Sequence, residues 1–480
     1  MPAPPAFPLR TVVIVALAVF MTALDNLVVG VALPSIQRDL GGSLESLEWT
    51  VNAYTLAFAV FLLTGAALGD RFGRRRMFLL GLGIFTGASA VAALAPSIEL
   101  LVAARAIQGI GAAIVTPLTL TILADAVPAQ RRGLAIGLWG GIGGLGVAVG
   151  PAVGGAVVEG LHWSWIFWLN VPIGLALLPI ARRELRESFG PGGASTPLDR
   201  PGLLLVTGGL FGLTFGVIRS QVLGWGSTTV VASLAVGVLL LGAFLAWERR
   251  TPAPMLPLGL FRSVRFSATN GLSFAMFFGM FGSIFLLSQF FQIAQGYGPL
   301  EAGLRTLPWT GMPVLIAPIA GILSDRIGAR PLLVTGMALQ AVALFWISQV
   351  SSLTVPYGEL VPPFVLAGVG MALVFAPVAG AVLASAPPEL AGKASGATNA
   401  IRETGGVFGV AVLATIFASH GSHATPQGFT DGLLAALPVG AAVLAVGAVI
   451  GLLAPGRPAP AAAVAEGGGA PAGAPLADPA

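Results

Sequence analysis

Hydrophobic residues in this chain come in runs of about twenty, the length a helix rising 1.5 Å per residue needs to cross a bilayer. Short polar or Pro/Gly segments separate the runs. The pattern predicts spans near 11–33, 49–69, 77–95, 100–125, 133–158, 163–181, 202–219, 229–247, 266–293, 302–323, 331–350, 359–384, 396–419 and 430–453. The expected fold class is an all-α integral membrane bundle of 14 transmembrane helices, which puts both termini on one side. The first run follows only Arg10 and has no small-residue cleavage site before the polar stretch Gln37, Arg38 and Asp39, so it reads as a retained span.

Composition fits this picture. The chain is 56% hydrophobic and 9% charged with mean hydropathy +0.90, whereas soluble domains carry roughly 25% charged residues. It has no cysteine, which excludes structural disulfides and thiolate metal sites, and its histidines are His162, His420 and His423. His420 and His423 lie three apart in a predicted external loop and lack a third ligand, so no metal site is expected. The net charge of +4 is small, and the basic residues sit between apolar spans. They therefore read as topology signals, not as a nucleic-acid footprint. With the first turn in the cytoplasm, Arg71, Arg74, Arg75, Arg76, Arg131, Arg132, Arg182, Arg249, Arg326 and Lys393 fall inside, while Arg38, Arg219 and Arg305 fall outside. Beyond Pro455 the tail is mostly Ala, Pro and Gly with almost no large side chains and is expected to be disordered.

The chain also repeats itself. Asp70-Arg71-Phe72-Gly73 recurs as Asp325-Arg326-Ile327-Gly328. Gly133, Gly137, Ile142, Gly146 and Gly150 are matched, at one constant offset, by Gly392, Gly396, Ile401, Gly405 and Gly409. The expected plan is a cytoplasmic N-terminus at 1–10, a six-helix half at 11–187 and two inserted helices with a flanking loop at 188–250. A second six-helix half follows at 251–454, with a cytoplasmic tail at 455–480. Two parallel halves around a midplane site is a transporter design in which one half rocks against the other.

These residues resemble the major facilitator superfamily, and within it the fourteen-helix drug:proton antiporters of the EmrB/QacA type. The likeness rests on Leu24-Asp25 with Ala32-Leu33-Pro34, on Trp49 and Tyr54, and on the loop Asp70-Arg71-Phe72-Gly73-Arg74-Arg75. It continues through Arg105-x-x-Gln108-Gly109-x-Gly111, Gly146-x-x-x-Gly150-Pro151-x-x-Gly154-Gly155, Trp163-x-Trp165 and Asn170-x-Pro172. Gln292, Gly296 and Ala302-Gly303 follow. One departure is Ala66, where the family's loop motif usually begins with glycine. The resemblance implies that Asp70, Arg71, Gly73 and Arg74, with Asp125 as the partner of Arg74, latch the halves at the cytoplasmic gate, and that Asp325, Arg326 and Gly328 are the second copy of this latch. It also ties the element Gly146, Gly150, Pro151, Gly154 and Gly155 to exporters. Physically, glycines four apart share a helix face and allow close backbone approach. The second copy has Val410 in place of Pro151.

Charges inside a span are costly and mark function. Here they are Asp25, Arg105, Arg402 and Glu403. Counted from the outer ends, Asp25 lies roughly 13 Å deep and Arg105 roughly 9 Å, within reach of one another if the spans touch. A carboxylate beside an arginine in a dry site resists protonation, and one moved away from it binds a proton readily. Asp25 and Arg105 are therefore the candidate proton-coupling pair; a permanent salt bridge is the competing reading. The position matching Arg105 in the second copy is Phe364, an asymmetry that architecture alone does not require. Arg402 and Glu403 point about 100° apart on a helix and are expected to neutralise other partners in a structural role. The candidate substrate cavity draws on Phe281, Phe285, Gln289 and Gln292 of the ninth span, with Tyr54 and Gln108 from the first half.

The resemblance thus implies a proton-coupled antiporter that exports lipophilic drugs, antibiotics or metabolites across the bacterial cell membrane. It would work as a monomer, with the proton gradient as energy source and no cofactor; its partners would be substrate, protons and the bilayer. No nucleophile–base pair or GxxxxGK[ST] loop is visible, so an enzyme or an ATP-driven pump is disfavoured. A transporter of polar nutrients in the same fold and a non-transporting membrane receptor remain alternatives.

Overall fold

The computed structural model describes residues 8–456, apart from 129–130, 191–192, 194–196, 253, 423 and some helical side chains. The expectations for the tail, for His423 and for the Pro151 side chain lie outside the described residues.

Among the described residues the regular structure is helical. The first half comprises α1 (Leu9–Leu40), α2 (Leu44–Phe72), α3 (Arg74–Ala93), α4 (Ile98–Ala126), α5 (Arg132–Gly160), a short α6 (Trp165–Trp168) and α7 (Asn170–Glu184). The inserted pair is α8 (Arg200–Leu223) and α9 (Thr228–Glu248). The second half comprises α10 (Val264–Gln289), α11 (Pro299–Thr310), α12 (Met312–Ile327), α13 (Ala329–Val350), α14 (Tyr357–Ala384), α15 (Ala391–His420) and α16 (Pro426–Gly451). Thirteen described segments are long and apolar enough to cross a membrane, and α5, a helix of 29 residues, stands between two of them.

Two predicted spans are broken. The sixth divides into α6 and α7 just before Asn170, and the tenth divides into α11 and α12 at Gly311, flanked by Pro308 and Pro313. The first runs past residue 33 through the polar stretch to Leu40, where Gly41 at φ 69° ends it.

The two halves repeat one packing scheme. α1 lies on α5 as α10 lies on α15; α2 lies on α4 as α12 lies on α14; α3 lies on α4 and α7 as α13 lies on α14 and α16. Between the halves α5 packs on α11 and α12, and its counterpart α15 packs on α2. One buried apolar core lies in the first half and extends through the inserted pair to Ala379, Ala397 and Ala400, and a second lies within the second half. The inserted α8 packs on both α2 and α15: Thr207 hydrogen-bonds Thr64, Phe215 lies 6.0 Å from Trp49, and Trp225, in the turn after α8, donates to Thr415 of α15.

Glycine sets how near the helices come. A methyl group on Gly146 would lie 2.5 Å from the Phe20 carbonyl oxygen, one on Gly150 3.0 Å from Leu27 Cβ, and one on Gly154 3.1 Å from the Val28 carbonyl oxygen. One face of α5 therefore seats α1, the helix that carries Asp25. In the other half, Gly405 and Gly409 approach the Phe274 and Phe278 carbonyls of α10 in the same way. Gly146→Ala is expected to lower stability by about 1–3 kcal/mol through overpacking and to slow flux, read as a drop in melting temperature in detergent and in vesicle uptake. Unchanged melting and flux would mean that this seat is loose.

Candidate functional site

Asp25 of α1 is 1% exposed and Arg105 of α4 is fully buried. Arg105 Nη1 donates to Asp25 Oδ2 and, at 2.7 Å, to Gln108 Oε1. Its Nε donates to the Thr50 carbonyl at 3.0 Å, and its guanidinium lies 4.3 Å from the Tyr54 ring. Three residues apart on α4, Arg105 and Gln108 share a helix face. Gln108 Nε2 donates to Asp25 Oδ1 at 2.8 Å, and so does Asn170 Nδ2 from α7 at the same distance. Asn170 also donates to Ser89 Oγ at 3.1 Å, and Ser89 donates to the Phe167 carbonyl. Gly109 allows this closeness: a methyl group there would lie 2.5 Å from the Tyr54 carbonyl oxygen of α2.

The carboxylate thus ties α1 to α4 and α7 through an ion pair and two amides. Two polar atoms in the cluster, Arg105 Nη2 and Asn170 Oδ1, are buried without a hydrogen-bond partner. That leaves capacity for a second bonding pattern, since a buried polar atom without a partner costs about 1–3 kcal/mol.

At the basic end of the bundle, Arg74 Nε and Nη2 donate to Asp70 Oδ1 at 3.0 and 2.8 Å, and Nη1 reaches Asp125 Oδ2 at 2.5 Å. Gly73, at φ 103°, makes the sharp turn from α2 into α3, and Gly328, at φ 89°, makes the same turn from α12 into α13. The second copy carries Ala329 where the first has Arg74, so the turn is duplicated without its arginine centre. Arg326 is exposed, and Arg330 Nε donates to the Ala454 carbonyl. Arg71 lies over its neighbour Phe72 at 5.7 Å.

The halves meet at this end. A methyl group on Gly392, in the first turn of α15, would lie 2.6 Å from the Asp70 carboxylate, and one on Gly396 would lie 2.6 Å from the Ala66 methyl. Gly396 thus makes room for the methyl that departs from the family's loop pattern. Lys393 Nζ donates to the Pro254 carbonyl at 2.5 Å, joining α15 to the segment after α9.

Sequence reasoning missed two parts of these sites. Asn170 was legible only as a motif letter, because its link to Asp25 spans 145 residues and a broken helix. The loop after α7 carries no sequence signal beyond that of a boundary between segments. Here Glu187 accepts the Arg75 amide at 2.9 Å and lies 3.7 and 3.6 Å from the Arg75 and Arg76 guanidinium groups, while Ser188 accepts the Arg74 amide.

Other expectations need correction. Arg402 and Glu403, expected to seek separate partners, pair with each other at 3.4 Å, because two long side chains bridge the angle between adjacent Cα positions. The cavity residues do not gather in one place. Tyr54 and Gln108 belong to the Asp25 cluster, whereas Phe281 lies 5.3 Å from Phe277, and Phe285 is 42% exposed. Gln289 and Gln292 donate to carbonyls of their own helical run, at Phe285 and Ser288. His420 is bonded locally to Ser419, and no group of three metal-ligating side chains occurs among the described residues.

Residues 15–410 match the family model described as Major Facilitator Superfamily. The chain is 37% identical over 424 residues to the tetracenomycin C resistance and export protein of Streptomyces glaucescens, covering 88% of this chain and 78% of that one. It is 35% identical over 415 residues to the multidrug resistance protein Stp of Mycobacterium tuberculosis (strain ATCC 25618 / H37Rv), covering 86% and 76%. Among solved structures, that of the human organic anion transporter MFSD10 superposes with a TM-score of 0.65 at 16% identity, covering 93% of this chain and all of that one. At that identity the likeness shows the fold alone.

Proposed function

The chain belongs to the major facilitator superfamily, and from that premise we propose that it is a proton-coupled antiporter that exports lipophilic small molecules, antibiotics among them. It is a multi-pass membrane protein. We place it in the bacterial cell membrane with both termini and the basic end in the cytoplasm, as the asymmetry of arginines favours. In this reading the proton gradient is the energy source, no cofactor takes part, and one chain suffices. The names of the relatives, resistance and export, support the outward direction.

The observation that carries the proposal is the Asp25 cluster: one sealed carboxylate on which α4 and α7 converge. Protonation removes the charge that Arg105 neutralises and turns an acceptor into a donor. Asn170 Oδ1, now without a partner, accepts that O–H once its amide rotates. Loss of the ion pair loosens α1 from α4, and the halves are then free to exchange one set of end contacts for the other. A proton taken up from outside and released inside drives the return of the emptied carrier.

A resistance screen tests the proposal. An expressing strain should survive lipophilic antibiotics that kill the control strain, and lose the advantage when the proton gradient is collapsed. Resistance that outlives the gradient would count against coupling. The gate makes a separate prediction. Asp70 sits at the meeting of the halves, far in sequence from Asp25 and on another helix. Asp70→Asn should therefore cut flux by about tenfold, equivalent to 1.4 kcal/mol on the rocking barrier, while equilibrium substrate binding stays at the wild-type value. Lost binding with normal flux per bound molecule would refute that assignment.

A further inference from the structure

We propose that the basic end of the inserted pair, α8 and α9, is a binding site for the headgroup of an anionic phospholipid, formed by Arg200, Arg249 and Arg250 beside Trp247. The inference is independent of the exporter reading.

The two helices are pinned together at this level. Trp247 Nε1, near the end of α9, donates to Asp199 Oδ1 at 2.8 Å, and Asp199 caps α8 by accepting the Gly202 amide at 2.9 Å. Arg200 therefore stands on one side of that link, and Arg249 and Arg250 on the other. Past α9 the amides of Arg250 and Thr251 both bond to the Trp247 carbonyl, a tight turn that keeps the two arginines next to the indole. All three arginines and Trp247 are exposed. The carboxylates at hand are already committed. Asp199 holds the cap and the indole, and Glu248 is buried and turned inward to the Leu256 amide at 3.1 Å. Elsewhere at the basic end Arg74 has Asp70 and Asp125, and Arg75 and Arg76 have Glu187. Among the described residues no carboxylate pairs with Arg200, Arg249 or Arg250.

Placement makes a lipid the missing anion. Arg200 opens α8, at the positive end of a helix dipole, where a cation is unfavourable unless an anion is brought to it. α9 packs on α8 and turns Val231, Val238, Leu239 and Leu245 outward, an apolar face that acyl chains cover in a bilayer. Arginines at the foot of a lipid-facing helix, beside an indole at headgroup level, meet phosphates held at the membrane surface. The planar guanidinium matches phosphate oxygens in pairs. A soluble anion would meet the same charges but gain nothing from the apolar face above them. The site is also one loop from the gate: Glu248 holds Leu256, and Pro254 accepts Lys393 of α15, next to Gly392, which abuts Asp70.

The test is lipid binding to the purified full chain in neutral detergent at fixed ionic strength, read as adducts by native mass spectrometry. The probes are phosphatidylglycerol, zwitterionic phosphatidylcholine and inorganic phosphate. Phosphatidylglycerol should bind about tenfold more tightly than phosphatidylcholine, and phosphate should not displace it. The triple variant Arg200→Gln, Arg249→Gln, Arg250→Gln should lose that preference. The variant Arg182→Gln, Arg183→Gln, Arg186→Gln, which removes three exposed arginines at the end of α7, should keep it. Arginines here also orient the pair during insertion. The single variants leave two of them in place and should each weaken phosphatidylglycerol binding about fivefold, so the site is testable without the triple variant. An equal loss in both triple variants would make the effect one of diffuse surface charge and overturn the proposal. So would unchanged affinity in all three single variants, or a wild type with no preference for phosphatidylglycerol. Displacement by phosphate would also overturn it, because the arginines would then serve a free anion.

Discussion

Asp25→Asn is expected to abolish proton-driven export while leaving the protein inserted, folded and able to bind substrate. Asparagine matches the carboxyl in size and keeps an oxygen for Arg105 Nη1, but it does not titrate. Its charge equals that of protonated Asp25, a state the working cycle itself passes through, so the bundle tolerates it. Removing one partner of a buried ion pair generally costs about 3–5 kcal/mol. Here the loss is softened, because Arg105 retains the Thr50 carbonyl, Gln108 Oε1 and the Tyr54 ring. The readout is uptake into vesicles carrying an imposed pH gradient, which should fall to the leak of empty vesicles. Exchange of labelled for unlabelled substrate, which needs no proton, should persist. Gradient-driven accumulation at the wild-type level would remove Asp25 from coupling.

Arg105→Ala should fail differently. It removes the charge that opposes protonation of the neighbouring carboxyl and leaves that carboxyl with the Gln108 and Asn170 amides alone. The proton is then held to higher pH, release into the cytoplasm is blocked at neutrality, and the remaining flux should peak at a more alkaline pH than in the wild type. Arg105→Lys keeps the charge but not the planar fork that spans Asp25, Gln108 and Thr50, so it should lose less flux and shift the profile less. Flux against pH in proteoliposomes, at matched protein content, separates the readings. An unshifted profile in the alanine variant would make Arg105 a packing residue only.

Much of this was legible in the sequence, for a definite reason. Hydropathy runs report which segments are apolar, and the repeated loop and glycine spacing report which segments correspond, so the paired packing of α1 on α5 and α10 on α15 follows the same register as the letters. Counting depth along two helices put Asp25 and Arg105 near one level, and the structure has them in contact. Rotation about the helix axis and the path of loops are not encoded in that way. Nothing in a run of apolar letters shows that Asn170, at the start of a broken span, turns toward Asp25. Nor does it show that Glu187 folds back to cap α3, or that Arg402 bends onto its own neighbour. The seat of α8 between α2 and α15 was equally hidden, because the inserted pair has no counterpart in the repeat to compare with.

In the proposed cycle substrate and proton move in opposite directions, governed by Asp25. The most direct measurement uses proteoliposomes with a pH-sensitive dye inside and no imposed gradient, to which a lipophilic antibiotic is added on one side. Wild-type protein is expected to move protons out of the compartment the antibiotic enters, in proportion to the amount taken up, and Asp25→Asn vesicles are expected to show no proton signal. Antibiotic uptake by the wild type with no proton movement, or with protons travelling alongside it, would rule out antiport.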